Sequence, residues 1–305
     1  MTLKLSQIRD VVAIADGGSL RAAAQNLGLA QPALTRSIRE VEHDLGVELF
    51  ERLPRGMRLT PAGEVFVRRM RSIQAELQRS RDEIDQLKGL TIGQLTIGLS
   101  MASTIALLSG ALAPFKARYP GVKLKIVEGL FPGLRRQIAD GDLDFYVGPV
   151  AEVPLPREFV LEQLFTNERL VLGRVGHPMA HASSLAELAD ASWIGSALTE
   201  HREDELGLVF STRGLPPPRV EVETSSALST MMVAANSDLL AMLPRQYLRH
   251  PGAVDLLMPI PIRERLAAPA ICLVRRAALP LPPAAEFFTD LIRRTAVHEA
   301  RTRAE

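Results

Sequence analysis

Two apolar stripes at helical spacing stand on either side of a glycine between residues 20 and 45, and few arrangements can bury both. From Gln31 to Leu45 the residues Leu34, Ile38, Val41 and Leu45 recur at four, three and four positions, so they share one helix face. At about 100° per residue, Pro32, Arg36, Arg39 and His43 fall opposite that stripe, with Gln31 and Thr35 flanking it near the N-terminal end. The preceding run carries its own stripe, Leu20, Ala23, Ala24 and Leu27. Gly28 ends it, because glycine enters the left-handed conformation at little cost. Packed stripe to stripe, the pair presents its second helix outward, the helix-turn-helix arrangement that enters a DNA major groove. A plain helical bundle with solvated arginines satisfies the same periodicity, so the flanking sequence has to decide.

Upstream, Leu5, Ile8, Val12 and Ala15 form a further helical stripe, and Asp16-Gly17-Gly18 interrupts it before Ser19, a capping residue. Downstream, Gly46 breaks the pattern, Val47 to Leu53 reads as a short strand, and Pro54-Arg55-Gly56 turns the chain into Met57-Arg58-Leu59. The result is a two-stranded wing with Arg52, Arg55 and Arg58 near its tip, placed to meet phosphates or a minor groove. Proline in the first turn of the reading helix, and the run LFERLPRGMRLTPAGEVF after it, complete a segment that resembles the winged helix-turn-helix of LysR-type transcriptional regulators. The expected DNA-contacting set is Ser19, Arg21, Gln31, Pro32, Thr35, Arg36, Arg39, Arg52, Arg55 and Arg58. Many family members have serine where this chain has Ala30, so a side-chain cap at the start of the reading helix is expected to be missing.

Thr60 can cap the next helix, Pro61 suits its first turn and Glu64 complements its positive end. From there Phe66, Met70, Ile73, Leu77, Ser80, Ile84 and Leu87 alternate at four and three residues, the 3.5-residue period of a coiled-coil seam that only Ser80 interrupts. A helix of about 28 residues is roughly 42 Å long, and with little other apolar surface it needs a partner helix. The expectation is a dimer reading two half-sites with approximate dyad symmetry.

After Gly89 short apolar strands alternate with amphipathic helices: TIALLSGALAPFKARY, VKLKIVE, LFPGLRRQIADG and LDFYVG. A second set follows: ERLVLGRV, SLAELAD, SWIG, a helix after Thr199, RVEVET, ALSTMMVAA, DLLAML and AVDLLMP. PAICLVRR and PPAAEFFTDLIRRTAVHEA close the chain. Periodicity alone supports an α/β fold of one or two lobes. The resemblance implies more: a two-lobed, periplasmic-binding-protein-like effector domain entered and left by crossovers near Phe165 to Asn167 and Ile262 to Ala268. The expected organisation is a DNA-binding domain over residues 1–60, a linker helix over 61–89 and an effector domain over 90–305. Lobe I takes residues 90–165 and 268–305, and lobe II takes 166–267.

In open α/β sheets ligands lie beyond the carboxyl ends of the strands. Those positions are Ser100, Met101, Ala102, Ser103, Glu128, Gly129, Gly148 and Pro149 in lobe I, and Ser196, Thr224 and Ser225 in lobe II. Their amides and hydroxyls suit a small carboxylate, sulfonate or polar metabolite, although each serine alone is equally an ordinary helix cap. The family places its inducers in this interlobe cleft. SLRAAAQNLGLAQPALT, HPMA at His177 to Ala180 and SDLLAMLPRQYL look most like the branch with the regulators of toluenesulfonate degradation and of a galactose-binding protein. That implies an aromatic or other organic acid, or a sugar, and no cofactor. The resemblance also implies a tetramer built from dimers, with RNA polymerase as a further partner.

The formal net charge of +1 over 305 residues advertises no nucleic acid by itself, so DNA affinity requires a focused cationic surface. The single cysteine, Cys272, lies in the apolar run AICLV and reads as a buried hydrophobe. No apolar stretch reaches the roughly 18 to 20 residues that a bilayer crossing needs, and the N-terminus lacks a signal-peptide core. A cytoplasmic location and no membrane partner are expected. An enzyme is the main competing class. No phosphate-binding GxxxxGK[ST] loop or GxSxG elbow is present, and the histidines are dispersed. His177 and His181 sit in a proline-containing turn, so no metal site is expected. A constitutive DNA-binding protein whose C-terminal part only oligomerises is the remaining alternative.

Overall fold

The computed structural model describes residues 3–54, 56–151, 154–196, 205–250 and 252–301, and the chain divides into two compact units at Lys88 and Gly89.

In the first unit α1 (Leu5–Gly17), α2 (Leu20–Leu27) and α3 (Gln31–Leu45) precede a hairpin of β1 (Phe50–Leu53) and β2 (Gly56–Leu59), and then α4 (Pro61–Leu87). Ser19 caps α2 by accepting the Ala22 N–H at 3.1 Å. Gly28 and Gly46 end α2 and α3 in the left-handed conformation. Ala23, Ala24, Leu34, Ile38 and Val41 form the core with Val11, Ile14, Leu49, Phe50 and Val67. The stripe expected on α1 is corrected. Leu5 is exposed and Ala15 half-buried, while Val11 and Ile14 are fully buried. The reason is that α1 packs on two sides, with Val11 and Ile14 in the core shared with α2 and α3, and Ile8 and Val12 against Met70 of α4.

The hairpin starts later than its sequence suggests. Val47 is exposed and Leu49 buried, and the strand begins at Phe50. The Glu42 carboxylate, on α3, accepts the N–H groups of Leu49 and Phe50 at 2.8 and 3.2 Å and thereby holds the chain where it enters β1. Thr60 then caps α4, accepting the Gly63 N–H at 3.0 Å while donating to the Glu48 carbonyl at 2.7 Å.

The seam of α4 divides. Met70 is buried and Phe66 packs in the unit's own core, whereas Ile73, Ile84 and Leu87 are exposed, Leu87 at 75%.

The second unit is α/β and two-lobed. Its first strands are β3 (Ile92–Leu99), β4 (Gly121–Glu128) and β5 (Phe145–Pro149), with β4 and β5 parallel to β3 on either side. Between β3 and β4 run α5 (Met101–Ser103), a π-helical turn Thr104–Leu108 and α6 (Ser109–Arg118). α7 (Phe131–Asp140) leads to β5. A 16-residue strand β6 (Phe159–Arg174) follows. Then come β7 (Ser192–Ser196), α8 (Glu205–Ser211), β8 (Arg219–Thr224), α9 (Ala227–Ala235), β9 (Leu240–Pro244), β10 (Leu257–Pro259), β11 (Leu266–Arg276) and α10 (Pro283–Arg301). The strand order is β4-β3-β5-β11-β6-β9-β7-β8, with β10 also on β6.

β6 and β11 link the lobes. Phe159 to Phe165 of β6 pairs with β11 alone, and Arg169 to Arg174 reaches β9 and β10. The register of β11 against β6 shifts between Ala268 and Ile271, a span that contains Pro269, which has no N–H to give the ladder. ERLVLGRV is therefore the second half of one continuous strand. SLAELAD forms only a 3-10 turn at Leu185–Leu188, and of AVDLLMP only Leu257–Pro259 is strand. The start expected for a helix after Thr199 lies outside the described residues.

Candidate nucleic-acid interface and interlobe site

The outer face of α3 holds the residues its periodicity assigns there. Gln31, Pro32, Arg36, Arg39 and His43 are exposed, and with Thr35 and Glu40 they line one open concave surface. Thr35 is half-buried and donates its hydroxyl to the Gln31 carbonyl of its own helix at 3.0 Å. Ala30 is the N-cap and makes no side-chain cap hydrogen bond.

How a nearly neutral unit focuses positive charge is visible in the pairing of its acids. Asp10 accepts from Arg9 and from Ser37, Asp16 pairs with Arg71, Glu51 pairs with Arg58 at 2.7 Å, and Glu42 is turned onto backbone amides. Arg36 and Arg39 form no ion pair among the described residues. Four carboxylates of the unit are thus engaged within it, while the guanidinium groups of Arg36 and Arg39 stay exposed on a face they share with Glu40, itself bonded to Gln7.

The remaining head candidates divide. Arg21 and Arg52 are exposed. Ser19 is occupied by its cap. Arg58 lies not at the tip but opposite Glu51 in the hairpin register, and that bond raises the pKa of its guanidinium. It is a cross-strand brace, a consequence of register that the spacing of arginines did not reveal. Arg55 lies outside the described residues.

In the second unit the lobe I candidates meet at one end of the sheet. Leu99 is level with Glu128 and Val147, the Ser100 N–H donates to the Val147 carbonyl at 3.0 Å, and the Gly129 N–H donates to Leu99 at 3.1 Å. Gly148 has no room for a side chain, since a Cβ there would lie 2.0 Å from the Tyr146 hydroxyl and 3.0 Å from the Ser100 Cβ. Ser196 and Thr224 are register partners at the end of β7 and β8; the Ser196 side chain lies outside the described residues. Ala102 and Met101 of lobe I pack with Ile194, Ala227 and Tyr247 of lobe II, so the two sets share one apolar contact.

Several hydroxyls expected to face a ligand are turned inward. Ser100 is buried, accepts the Ser103 N–H at 3.1 Å and hydrogen-bonds the Ser103 hydroxyl at 2.9 Å, and Ser103 is completely buried. Ala102 and Gly148 are buried too. Thr224 is 2.6 Å from the buried Thr230 hydroxyl. Ser225 is exposed, and the cap of α9 is Ser226. The helix starts satisfy themselves, leaving Met101, Glu128, Gly129, Pro149, Thr224 and Ser225 at least partly open.

Two polar groups went unrecognised in the sequence. Gln246 is fully buried beside β6 and donates to Asn167 at 3.0 Å, with no partner for its Oε1 among the described residues. Tyr247 is pushed well above the usual phenol range by burial, with the Glu128 charge adding to the effect.

Burial pushes the Cys272 thiol up to about 11, and the thiol contacts the Ala270 carbonyl at 3.5 Å. His177 accepts the Met179 N–H at Nδ1 and donates from Nε2 to the Asp238 carbonyl, each at 3.0 Å, so both ring nitrogens are committed to a turn. No helix among the described residues is long and apolar enough to cross a membrane.

Comparison with known proteins bears on both units. Residues 5–64 match the bacterial regulatory helix-turn-helix protein, lysR family, and residues 88–297 match the LysR substrate binding domain. The regulator GbpR of Azospirillum brasilense is 27% identical over 246 residues, 80% of this chain and 72% of that protein. The SDS degradation transcriptional activation protein of a Pseudomonas species is 28% identical over 294 residues, 94% of this chain and 95% of its own. These relatives are consistent with the branch named from the sequence. Among solved structures, full-length CbnR complexed with its target DNA superposes with a TM-score of 0.70 at 20% identity, covering 96% of this chain and 99% of CbnR, a likeness of fold. With a helix-turn-helix whose outward helix carries exposed arginines, a two-lobed α/β unit following it in the chain, and both matched along their lengths, the chain belongs to the LysR family of DNA-binding transcriptional regulators, which respond to small molecules.

Proposed function

We propose that α3 reads base edges through Gln31, Arg36 and Arg39, with Pro32 and Thr35 packing against the groove. In this reading the wing, through Arg52 and Arg55, and the start of α2, through Ser19 and Arg21, meet the DNA backbone. The observation that carries this reading is that Arg36 and Arg39 are exposed on one helix face and form no ion pair among the described residues. Arg58 is removed from the contacting set because Glu51 holds it.

Gln31→Ala and Arg36→Ala should each lower the preference for a selected duplex over a scrambled one by about 10- to 100-fold, the value of a good bidentate base contact. Arg52→Ala should weaken both duplexes alike and flatten the salt dependence by about one unit of slope. Equal losses on both duplexes for all three variants, measured by fluorescence anisotropy, would reject the division of roles.

The residues 1–60, 61–89 and 90–305 act in this reading as reader, connector and sensor, in a cytoplasmic dimer or larger self-assembly held through α4. The sensor takes a small organic acid or sugar between lobes that meet along β6 and β11. Support comes from the candidate positions still open at the strand ends, Met101, Glu128, Gly129, Pro149, Thr224 and Ser225. Ligand favours one arrangement of the assembly, changing DNA bending and RNA polymerase access, which requires unequal affinity for two states.

Differential scanning fluorimetry of the full chain against aromatic carboxylates, sulfonates and hexoses tests the sensor. A compound at about 100 times its Kd stabilises the native state by roughly 2.7 kcal/mol, a rise of about 5 to 10 °C for a unit of this size. The same compound should alter the DNA footprint. A panel without a saturable shift, or a shifting compound that leaves the footprint unchanged, would return the constitutive DNA-binding alternative.

A further inference from the structure

One carboxylate in the head is placed where neither apolar packing nor DNA contact accounts for it. Asp10 is 6% exposed, on α1 between Arg9 and the fully buried Val11. Its Oδ1 accepts from Arg9 Nε at 3.1 Å and Nη2 at 2.8 Å, and its Oδ2 accepts from the Ser37 hydroxyl at 2.8 Å. Three residues earlier on α1, Gln7 Nε2 donates to Glu40 Oε2 at 3.1 Å, three residues later on α3. The two bonds make matched rungs between α1 and α3, of which the Asp10–Ser37 rung is partly buried and charge-assisted.

The rungs supply something that the core of Leu34, Ile38 and Val41 does not. Apolar burial is non-directional, so a small rotation of α3 about its axis leaves nearly the same area covered. A hydrogen bond to an ionised, buried carboxylate is directional and roughly twice as strong as a neutral one. The start of α3 lacks a side-chain cap, and the Thr35 hydroxyl is turned onto its own helix. Three side chains of α3 bond outside the helix, Ser37 and Glu40 to α1 and Glu42 to the Leu49 and Phe50 amides, and of these Ser37, adjacent to Arg36, lies nearest the start of the helix.

We propose that Asp10 is a positioning residue for DNA recognition. Through Ser37 it sets the rotation of α3, and with it where Gln31, Arg36 and Arg39 point, without touching DNA itself. This rests on α3 being the base-reading helix.

The test uses the full-length chain with a duplex selected from a randomised pool by the wild-type protein and a scrambled duplex of the same composition. Asp10→Ala and Ser37→Ala should each lower the ratio of the two affinities about tenfold. The double variant should be no worse than Asp10→Ala, because both changes remove the same bond. Ser37→Thr, which keeps a hydroxyl, should restore the ratio to within about twofold, and scrambled-duplex affinity should stay within about twofold throughout. Parallel losses on both duplexes, multiplying losses in the double variant, or an unchanged ratio for Ser37→Ala would overturn the proposal. If Asp10→Ala does not fold, the Ser37→Ala and Ser37→Thr pair decides it alone. Gln31→Ala is the control. Should it lower the ratio while Ser37→Ala does not, the positioning role fails and the reading helix stands. Should it leave the ratio unchanged, the assignment of α3 fails and the proposal falls with it.

Discussion

Replacing Gly63 with alanine should destabilise the head by about 3 kcal/mol, the upper end of typical overpacking costs, and abolish operator binding near physiological temperature. Gly63 is buried at the start of α4, and a Cβ there would lie 2.0 Å from the Leu49 carbonyl oxygen and 2.9 Å from its carbon. Both atoms are backbone. Neither can rotate away, because the same carbonyl accepts the Thr60 N–H at 3.0 Å and Leu49 itself is held by Glu42 at 2.8 Å. The first turn of α4 would have to withdraw from the base of the hairpin, taking Val67 and Met70 out of the core they help to form. For a unit of this size the loss corresponds to a fall of roughly 10 °C or more in the unfolding temperature, measurable by circular dichroism at the helix band. Gly133→Ala is the internal comparison: it lies in α7 with open space where its Cβ would go. There alanine should stabilise by about 0.5 to 1 kcal/mol through helix propensity. A Gly63→Ala protein with an unaltered melting curve would show that the close approach to Leu49 does not exist in solution.

The second large effect concerns the exposed half of the α4 seam. Ile84→Asp combined with Leu87→Asp should convert the protein to monomers in sedimentation velocity and weaken selected-duplex binding by about 100-fold or more. Binding of the second head would no longer be an intramolecular event. Ile84 is 52% exposed and Leu87 75% exposed, so neither substitution removes a contact from the chain's own core and the head should melt as before. Aspartate on both strands of a paired seam brings like charges together in an apolar interface, which removes its driving force. A double variant that still sediments as a dimer would place the self-association surface elsewhere. Had Met70 been chosen from the same heptad register, the result would mislead, since Met70 is buried against Ile8 and Val12.

That division of the heptad shows the general limit of the sequence. Phe66, Met70, Ile73, Leu77, Ile84 and Leu87 share one period, and a period says that a stripe is buried, not by what. The stripe on α1 failed for the same reason: a helix between two packing surfaces buries more than one face, and Val11 and Ile14 fall outside the single stripe its spacing suggested. The long strand β6 was read in its second half only. Before Val171 only Phe159, Phe165 and Asn167 are buried, whereas Val171, Leu172 and Gly173 are buried in succession, so both faces are covered there and the period-two signal breaks. Asp10 did leave a trace in the sequence, as a carboxylate set in the apolar run of the first helix. Its partner Ser37 lies 27 residues away, and no local pattern connects the two.

The sequence by itself determined what depends on neighbours along the chain. These are the helix pair around Gly28, the capping of α2 by Ser19 and of α4 by Thr60, the exposed face of α3, and the α/β alternation after Gly89. Each follows from hydrogen bonds and side-chain spacing within a turn or two of helix. Only the tertiary structure decided which groups remain free to act. Arg36 and Arg39 form no ion pair among the described residues while Arg58 is braced by Glu51, and Ser103 is sealed in its own helix start while Glu128 stays exposed. Charge and hydroxyl chemistry are properties of residues, but availability is a property of what long-range folding places against them. A hydrogen bond or ion pair to a residue tens of positions away neutralises a group without leaving any mark on the sequence around it.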